Sequence, residues 1–328
     1  MTYSVSTAFI NEYSDSIKLL ASQQNSVFEN LVMQGDSSGE YKYFDYIGPI
    51  TFTARTSSNE TTAFQDVAHT KRVVAFTDYF VNFYKDSVVD LQRMKVDPQS
   101  SYVKAAVNAW NEKKDVVIAA AMFAAATTGK GVGEAFGSTS FATTTQTVDV
   151  NYIQGDPIGS GNGTGSWATK TQSGFTYAKF IKGRSTLLAN NAVNPGQLIK
   201  LAISPEEEET LLTLSQFSNR DYAGEKILVD KMIDVTGLIG VWFGVAIYRS
   251  NVLTTTDPSS ASNQYRSCPM WVEDGVGLVK GGTPTIKAME NPSNNFAVTI
   301  NVQGSVGAVR LEEKKVVEIR VATGTDAS

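Results

Sequence analysis

The residue types that carry most enzyme chemistry are scarce in this chain, which holds one histidine, His69, and one cysteine, Cys268, among 328 residues. Cysteine–histidine catalysis would need that thiol and that imidazole to meet although they lie 199 positions apart, and a Ser-His-Asp triad would have to use His69. His69 is followed by Thr70, Lys71 and Arg72, with no second histidine, cysteine or acidic pair at ligand spacing, so a solvated imidazole fits better than a metal ligand. The acidic run Glu206 to Glu209 offers carboxylates, but consecutive residues of a helix point in different directions and cannot converge on one site. Preceded by Ser204 and Pro205, the run reads instead as a helix start: Ser204 and Glu207 make a capping box, and the acids face the positive end of the helix dipole.

The glycine runs fail the same test. Gly159, Gly161 and Gly163 approach G-x-G-x-x-G, but Thr164 stands between Gly163 and Gly165, and neither a β-rich run before nor a helix after is evident. Thr128 to Gly131 (TGKG) lacks the upstream glycine and the following Ser or Thr of a phosphate-binding loop, and reads as a helix stop. The pattern therefore predicts no catalytic residue, no cofactor, no metal ligand and no enzyme activity.

Composition narrows the class further. Hydrophobic residues make up 42% and charged residues 19%, the balance of a folded chain, and the length suffices for one large or two modest domains. A lone cysteine permits no intrachain disulfide and suits a reducing cytoplasm. The opening residues lack a basic stretch followed by an apolar one, and no run of about 18 apolar residues occurs, so neither export nor a membrane helix is predicted. Net charge is -5 with scattered Lys and Arg, which argues against direct nucleic-acid recognition.

The elements are more telling than the candidate chemistry. From Thr7 to Met33, Phe9, Ile10, Tyr13, Ile17, Leu20, Val27, Phe28 and Leu31 recur at helical spacing and predict an amphipathic arm, suited to its own domain or to a neighbouring subunit. Tyr41 to Phe83 is rich in aromatic and β-branched residues around a polar centre at Ser57 to Thr62, predicting a long projecting hairpin. Asp97 as cap and Pro98 in the first turn open a helix predicted to run to about Thr128, with Val103, Val107, Trp110, Val117 and Ala121 as its buried stripe. At 1.5 Å per residue it would be roughly 45 Å long, a spine for the subunit. Gly129 to Ser173, poor in charge and rich in Gly, Ser and Thr, predicts a surface excursion. A helix over FTYAKFIKGRSTLLANN, a buried strand LIKLAI, the capped SPEEEETLLTL helix and a turn at Gly244 follow, and the chain closes in long strands from Phe296 to Val321.

This order resembles the tailed-bacteriophage major capsid proteins, and YFDYIGPITFTART, KRVVAFTDYFVNFYKDSVVDLQRMKVDPQSSYVKAAVNAWNEKKDVVIAAAM and VQGSVGAVRLEEKKVVEI look like counterpart stretches of that family. The resemblance spans nearly the whole chain and implies an α+β, HK97-like capsid fold. Residues 1–38 would be the N-terminal arm and 39–80 the extended loop that lies over a neighbour. Residues 81–172 would be the peripheral domain with the spine helix, 173–285 the axial domain, and 286–328 the strands returning to the peripheral domain. It further implies self-assembly into pentamers and hexamers of an icosahedral head enclosing double-stranded DNA without sequence-specific contacts. A separate scaffolding protein, a portal and a decoration protein are the implied partners, with assembly in the bacterial cytoplasm and no membrane. A cellular nanocompartment shell of the same fold and an α/β enzyme with a non-sequential carboxylate site are the rival readings.

Overall fold

Ile199–Ile203 (β8) is a continuous apolar strand interrupted only by Lys200, and all five residues are buried, as expected of a strand covered on both faces. It lies in a seven-stranded mixed sheet in which the order is Thr147–Val148 (β7), Val316–Ala322 (β16), Tyr265–Trp271 (β12), β8, Val245–Arg249 (β10) and Leu238–Trp242 (β9), with Thr255–Thr256 (β11) paired to β12. The structure is a computed structural model that describes residues 22–36, 39–48, 50–54, 56–58, 64, 67, 69–84, 99–129, 136–152, 173–214, 237–253, 255–256, 264–282, 284–294 and 297–323.

Two helices flank β8 in sequence. Tyr177–Ala189 is capped by Thr176, whose side chain accepts from the Lys179 N–H, and it approaches the sheet at Gly183, where a Cβ would come within 2.9 Å of Ile319 Cδ1. Phe180 stacks on Trp242 with ring centroids 4.6 Å apart. Pro205–Thr213 carries the predicted capping box, with the Ser204 N–H donating to Glu207 Oε2 at 2.9 Å. The β9–β10 turn places Phe243 and Gly244 at φ 48 and 75, left-handed values that glycine adopts without strain.

A second sheet of five strands lies under the spine helix. Ala297–Arg310 (β15) is its long central strand: it pairs with Val276–Lys280 (β13) and Thr285–Asn291 (β14) on one side and Thr77–Tyr84 (β4) on the other, and Met33–Asp36 (β1) adds in parallel to β13. The third sheet, Tyr41–Ile47 (β2), His69–Ala75 (β3), Ala126–Thr128 (β5) and Gly137–Thr139 (β6), contains a hairpin shorter than the one predicted from Tyr41 to Phe83: its antiparallel register pairs Tyr41 with Ala75 and Ile47 with His69, and residues from Thr77 onward leave it for the lower sheet, where they pair with β15.

Several expectations need correction. The spine helix spans Gln99–Phe123 and stops five residues before Thr128; residues 126–128 form β5 instead, and the Asp97–Pro98 start lies outside the described residues. The glycines do not end it. The fully buried Arg310 donates to the Met122 carbonyl at 2.8 Å and the Ala124 carbonyl at 2.7 Å, satisfying acceptors that a longer helix would have used. The buried face is also rotated from the predicted stripe: Ala106, Lys114, Asp115, Ile118 and Met122 are buried, whereas Val107 is exposed. Apolar residues cover so much of this helix that pattern alone does not choose a face. The 129–173 segment is not wholly superficial, because Thr147–Tyr152 is buried and β7 joins the central sheet beside β16. Sheet membership also crosses the expected segments: β13 lies beside β15, while the last strand, β16, joins β12 in the central sheet rather than returning with β15.

Candidate functional site

The residues that could have done chemistry are kept apart. His69 is exposed at the end of the hairpin strand β3, and Cys268 is fully buried in β12, where burial pushes its thiol well above the usual range. The expectation that the consecutive glutamates cannot meet at one site needs correction: Glu206 and Glu207 both reach Arg266 at 2.7 Å, because the arginine comes across from β12 to the helix start, while Glu208 meets Arg249 at 3.5 Å and Glu207 also closes the capping box. Gly159, Gly161 and Gly163 lie outside the described residues, as does part of TGKG. Among the described residues no cluster of three or more His, Cys, Asp or Glu could hold a metal, and no helix is long and apolar enough to cross a membrane. The geometry that remains is one of attachment and exposure.

Attachment is built around the first described residues. Residues 22–28 run along the spine helix toward its middle: Asn108 donates to Ser22 Oγ at 2.9 Å, Asn111 donates to the Gln24 carbonyl at 2.7 Å, and Asp115 receives the next segment. The Asp115 carboxylate accepts from Gln23 Nε2, Ser26 Oγ, the Val27 N–H at 2.8 Å and the Phe28 N–H at 3.1 Å. It thereby fixes the residues that lead into the 3-10 turn Glu29–Leu31, whose first N–H, that of Glu29, donates to Ser26 Oγ at 3.2 Å. Phe28 is fully buried edge-on against Trp271, with ring centroids 5.7 Å apart.

Charge then fixes the turn in place. Glu29 pairs with Lys114 of the spine helix and with Lys280 of β13 at 2.9 Å. Burial alone would raise the Glu29 carboxyl, but these two ammonium groups outweigh it and hold the group below its ordinary value. The Leu31 carbonyl accepts both from Lys200 Nζ at 2.9 Å and from the Trp271 indole at 3.1 Å. Helix, central sheet and lower sheet are thus all tied to residues 22–36.

Exposure is concentrated in the hairpin. Its root packs into a small core of Phe44, Val74, Ala126, Val279, Val309 and Leu311. Farther out Ile47 and Ile50 are exposed, and Phe52 and Phe64 are fully open to solvent. A second exposed surface lies on the face of the lower sheet away from the spine helix, where Phe80 and Met289 stand beside Asn82, Asn301 and Gln303.

Sequence reasoning found the hairpin; the predicted arm from Thr7 to Met33 lies mostly outside the described residues, and its described part is irregular chain with the 3-10 turn Glu29–Leu31 rather than an amphipathic helix. The charged residues that position these segments were missed. Asp115 was expected off the buried stripe; Lys179 and Arg310 were unremarked, yet both are fully buried. Lys179 donates to the Ser173 carbonyl at 2.6 Å and the Gly174 carbonyl at 3.0 Å, and burial pushes its ammonium down to about 7. The partners of Asp115 and most of those of Arg310 are distant in sequence, and those of Lys179 are backbone carbonyls of the preceding loop; no motif signals such pairs.

Comparison with known proteins adds to this geometry. A family model described as "Phage capsid protein" matches residues 5–323. A search of curated protein sequences finds no match. Among solved structures, one of Mycobacterium phage Che8 superposes with a TM-score of 0.63 at 17% identity, covering 95% of this chain and 97% of that one. The capsid of cyanophage P-SCSP1u gives a TM-score of 0.64 at 18% identity over 99% and 96% of the two chains. The capsid asymmetric unit of cyanophage Pam1 gives 0.64 at 14% identity over 99% of each. Likeness at such low identity establishes the fold, an α+β, HK97-like shell fold.

Proposed function

The chain belongs to the phage capsid protein family and is a major capsid protein, a structural subunit of the phage head, and from that premise we propose how its surfaces serve assembly. The virion is its place and other copies of itself are its partners. In our reading the β2–β3 hairpin of one copy lies over the next copy, the anchored residues 22–36 direct the preceding segment toward a neighbour, and the copies close into pentamers and hexamers. A separate scaffold, a portal and a decoration protein complete the particle, which assembles in the host cytoplasm. Double-stranded DNA is enclosed without base-specific contacts, consistent with a net charge of -5.

One observation carries the reading: Phe52 and Phe64 are fully exposed in the single subunit, on a hairpin whose root is firmly packed. Burying an aromatic side chain stabilises by about 1.5–3 kcal/mol, and modest contacts repeated on every copy sum over a closed shell. A structural role also accounts for charged groups that serve as ties between elements. Neither the nanocompartment nor the enzyme reading gains support from any feature of the described residues.

The test is to express the full chain and examine it by size-exclusion chromatography and negative-stain electron microscopy. Rings, tubes or closed shells are expected. A persistent monomer or dimer, even with a candidate scaffold supplied, would overturn the proposal.

A further inference from the structure

We propose that Arg72, Glu313 and Arg310 form the joint that fixes the angle at which the β2–β3 hairpin leaves the body, so that the hairpin and the C-terminal end of the spine helix move together. This rests on the shell-subunit reading, in which the hairpin's pose decides where the neighbouring copy sits.

Arg310 hydrogen-bonds through both terminal nitrogens of its guanidinium. Nη1 donates to the carbonyls of Met122 and Ala124, Nη2 donates to the Thr139 carbonyl at 3.3 Å and to Glu313 Oε1 at 2.8 Å, and Nε lies 2.8 Å from Glu313 Oε2. Its plane also lies over the Phe141 ring, 5.0 Å from the centroid. Arg72, on the hairpin strand β3, reaches the same place from the other side: Nε donates to the Leu311 carbonyl at 3.2 Å, Nη1 to Thr139 Oγ1 at 3.0 Å, and Nη2 lies 3.7 Å from Glu313 Oε1. Thr139 and Glu313 therefore touch both arginines. The end of the spine helix, the hairpin, the β5–β6 ribbon and β15 meet at one point.

The physical division of labour is clear. The small core beneath the joint is apolar and non-directional, and it would tolerate a range of hairpin angles. The guanidinium fork is directional, because each donor has a fixed geometry. Two cations share one carboxylate, so Glu313 is the group that keeps Arg72 and Arg310 together against their mutual repulsion. A steric stop acts beside it: at Gly307 of β15 a Cβ would lie 2.5 Å from the Ala75 carbonyl oxygen and 2.7 Å from Val74 Cγ1, so the C-terminal end of β3 rests directly on the β15 backbone.

The test uses the full-length soluble subunit and hydrogen–deuterium exchange, followed by assembly. Glu313→Gln removes the shared charge, and Arg72→Lys keeps the positive charge but loses the fork; the second serves should the first fail to fold. Exchange in residues 41–47, 69–75 and 119–123 is expected to rise together by about ten-fold, the cost of one charge-assisted contact, with residues 199–203 unchanged. Assembly of these variants should give open sheets or shells of altered diameter. Exchange that rises in the hairpin alone, or not at all, would overturn the joint. Failure of the unmutated chain to form particles would instead remove the shell reading, while the exchange pattern still decides whether the joint couples hairpin and helix.

Discussion

The central sheet and the hairpin sheet are built from similar residues and end in opposite states. In β8 and β16 nearly every side chain, Ile199, Leu201, Ile203, Val316, Val317 and Ile319 among them, is buried against its own chain. In the hairpin only the root is covered, by Phe44 and Val74, while Ile47, Ile50, Phe52 and Phe64 remain in solvent. The first region completes itself within one subunit, and its apolar content becomes stability. In the proposed assembly the second keeps its apolar content for another copy. Polar ties follow the same division: Asp115, Glu29 and Arg310 hold segments to the body, whereas the distal hairpin is held to it chiefly by strand pairing through β2 and β3.

Substitutions can break or sharpen that contrast. Leu201→Asp should have the largest effect, since it places an unpaired charge in a strand covered on both faces; a loss above about 4 kcal/mol is expected, read as an insoluble chain or a collapsed urea midpoint. Asp115→Ala comes next. It leaves the Val27 and Phe28 amides and the Ser26 hydroxyl without their acceptor, a loss of about 2–4 kcal/mol, and should make residues 22–36 open to limited proteolysis in an otherwise folded subunit. Unchanged protease resistance would show that β1 alone anchors the segment.

Lys179 gives a smaller effect with a definite sign. Its ammonium is pushed down to about 7 by burial, whereas in the unfolded chain it holds its proton to roughly 10.4. Between those values the unfolded state binds more protons, so raising the pH favours the native state. The melting temperature of the unmutated chain minus that of Lys179→Met should therefore climb from pH 7 to pH 9. A flat difference would mean that Lys179 remains charged on its two carbonyl acceptors.

Legibility in the sequence followed the range of the interactions. The capping box at Ser204 and Glu207, the buried strand at β8, the turn at Gly244 and the β2–β3 hairpin depend on neighbours or on period-two patterning, and each was readable. The face and the end of the spine helix were not, because they are decided by Asp115 meeting residues 23–28 and by Arg310 meeting Met122 and Ala124. Those contacts join positions 87 to 188 residues apart. The joint around Glu313 was not legible either, because it forms only where the hairpin sheet, the lower sheet and the end of the spine helix are brought together.

The central claim is that the hairpin's aromatics belong to a neighbour, and the double substitution Phe52→Ser, Phe64→Ser tests it most directly. Stability of the isolated subunit should change by less than about 0.5 kcal/mol, since neither ring is buried. Electron microscopy under conditions where the unmutated chain forms shells should then show unassembled subunits with an unchanged melting temperature. Normal shells from the double variant, or a destabilised subunit, would contradict the account.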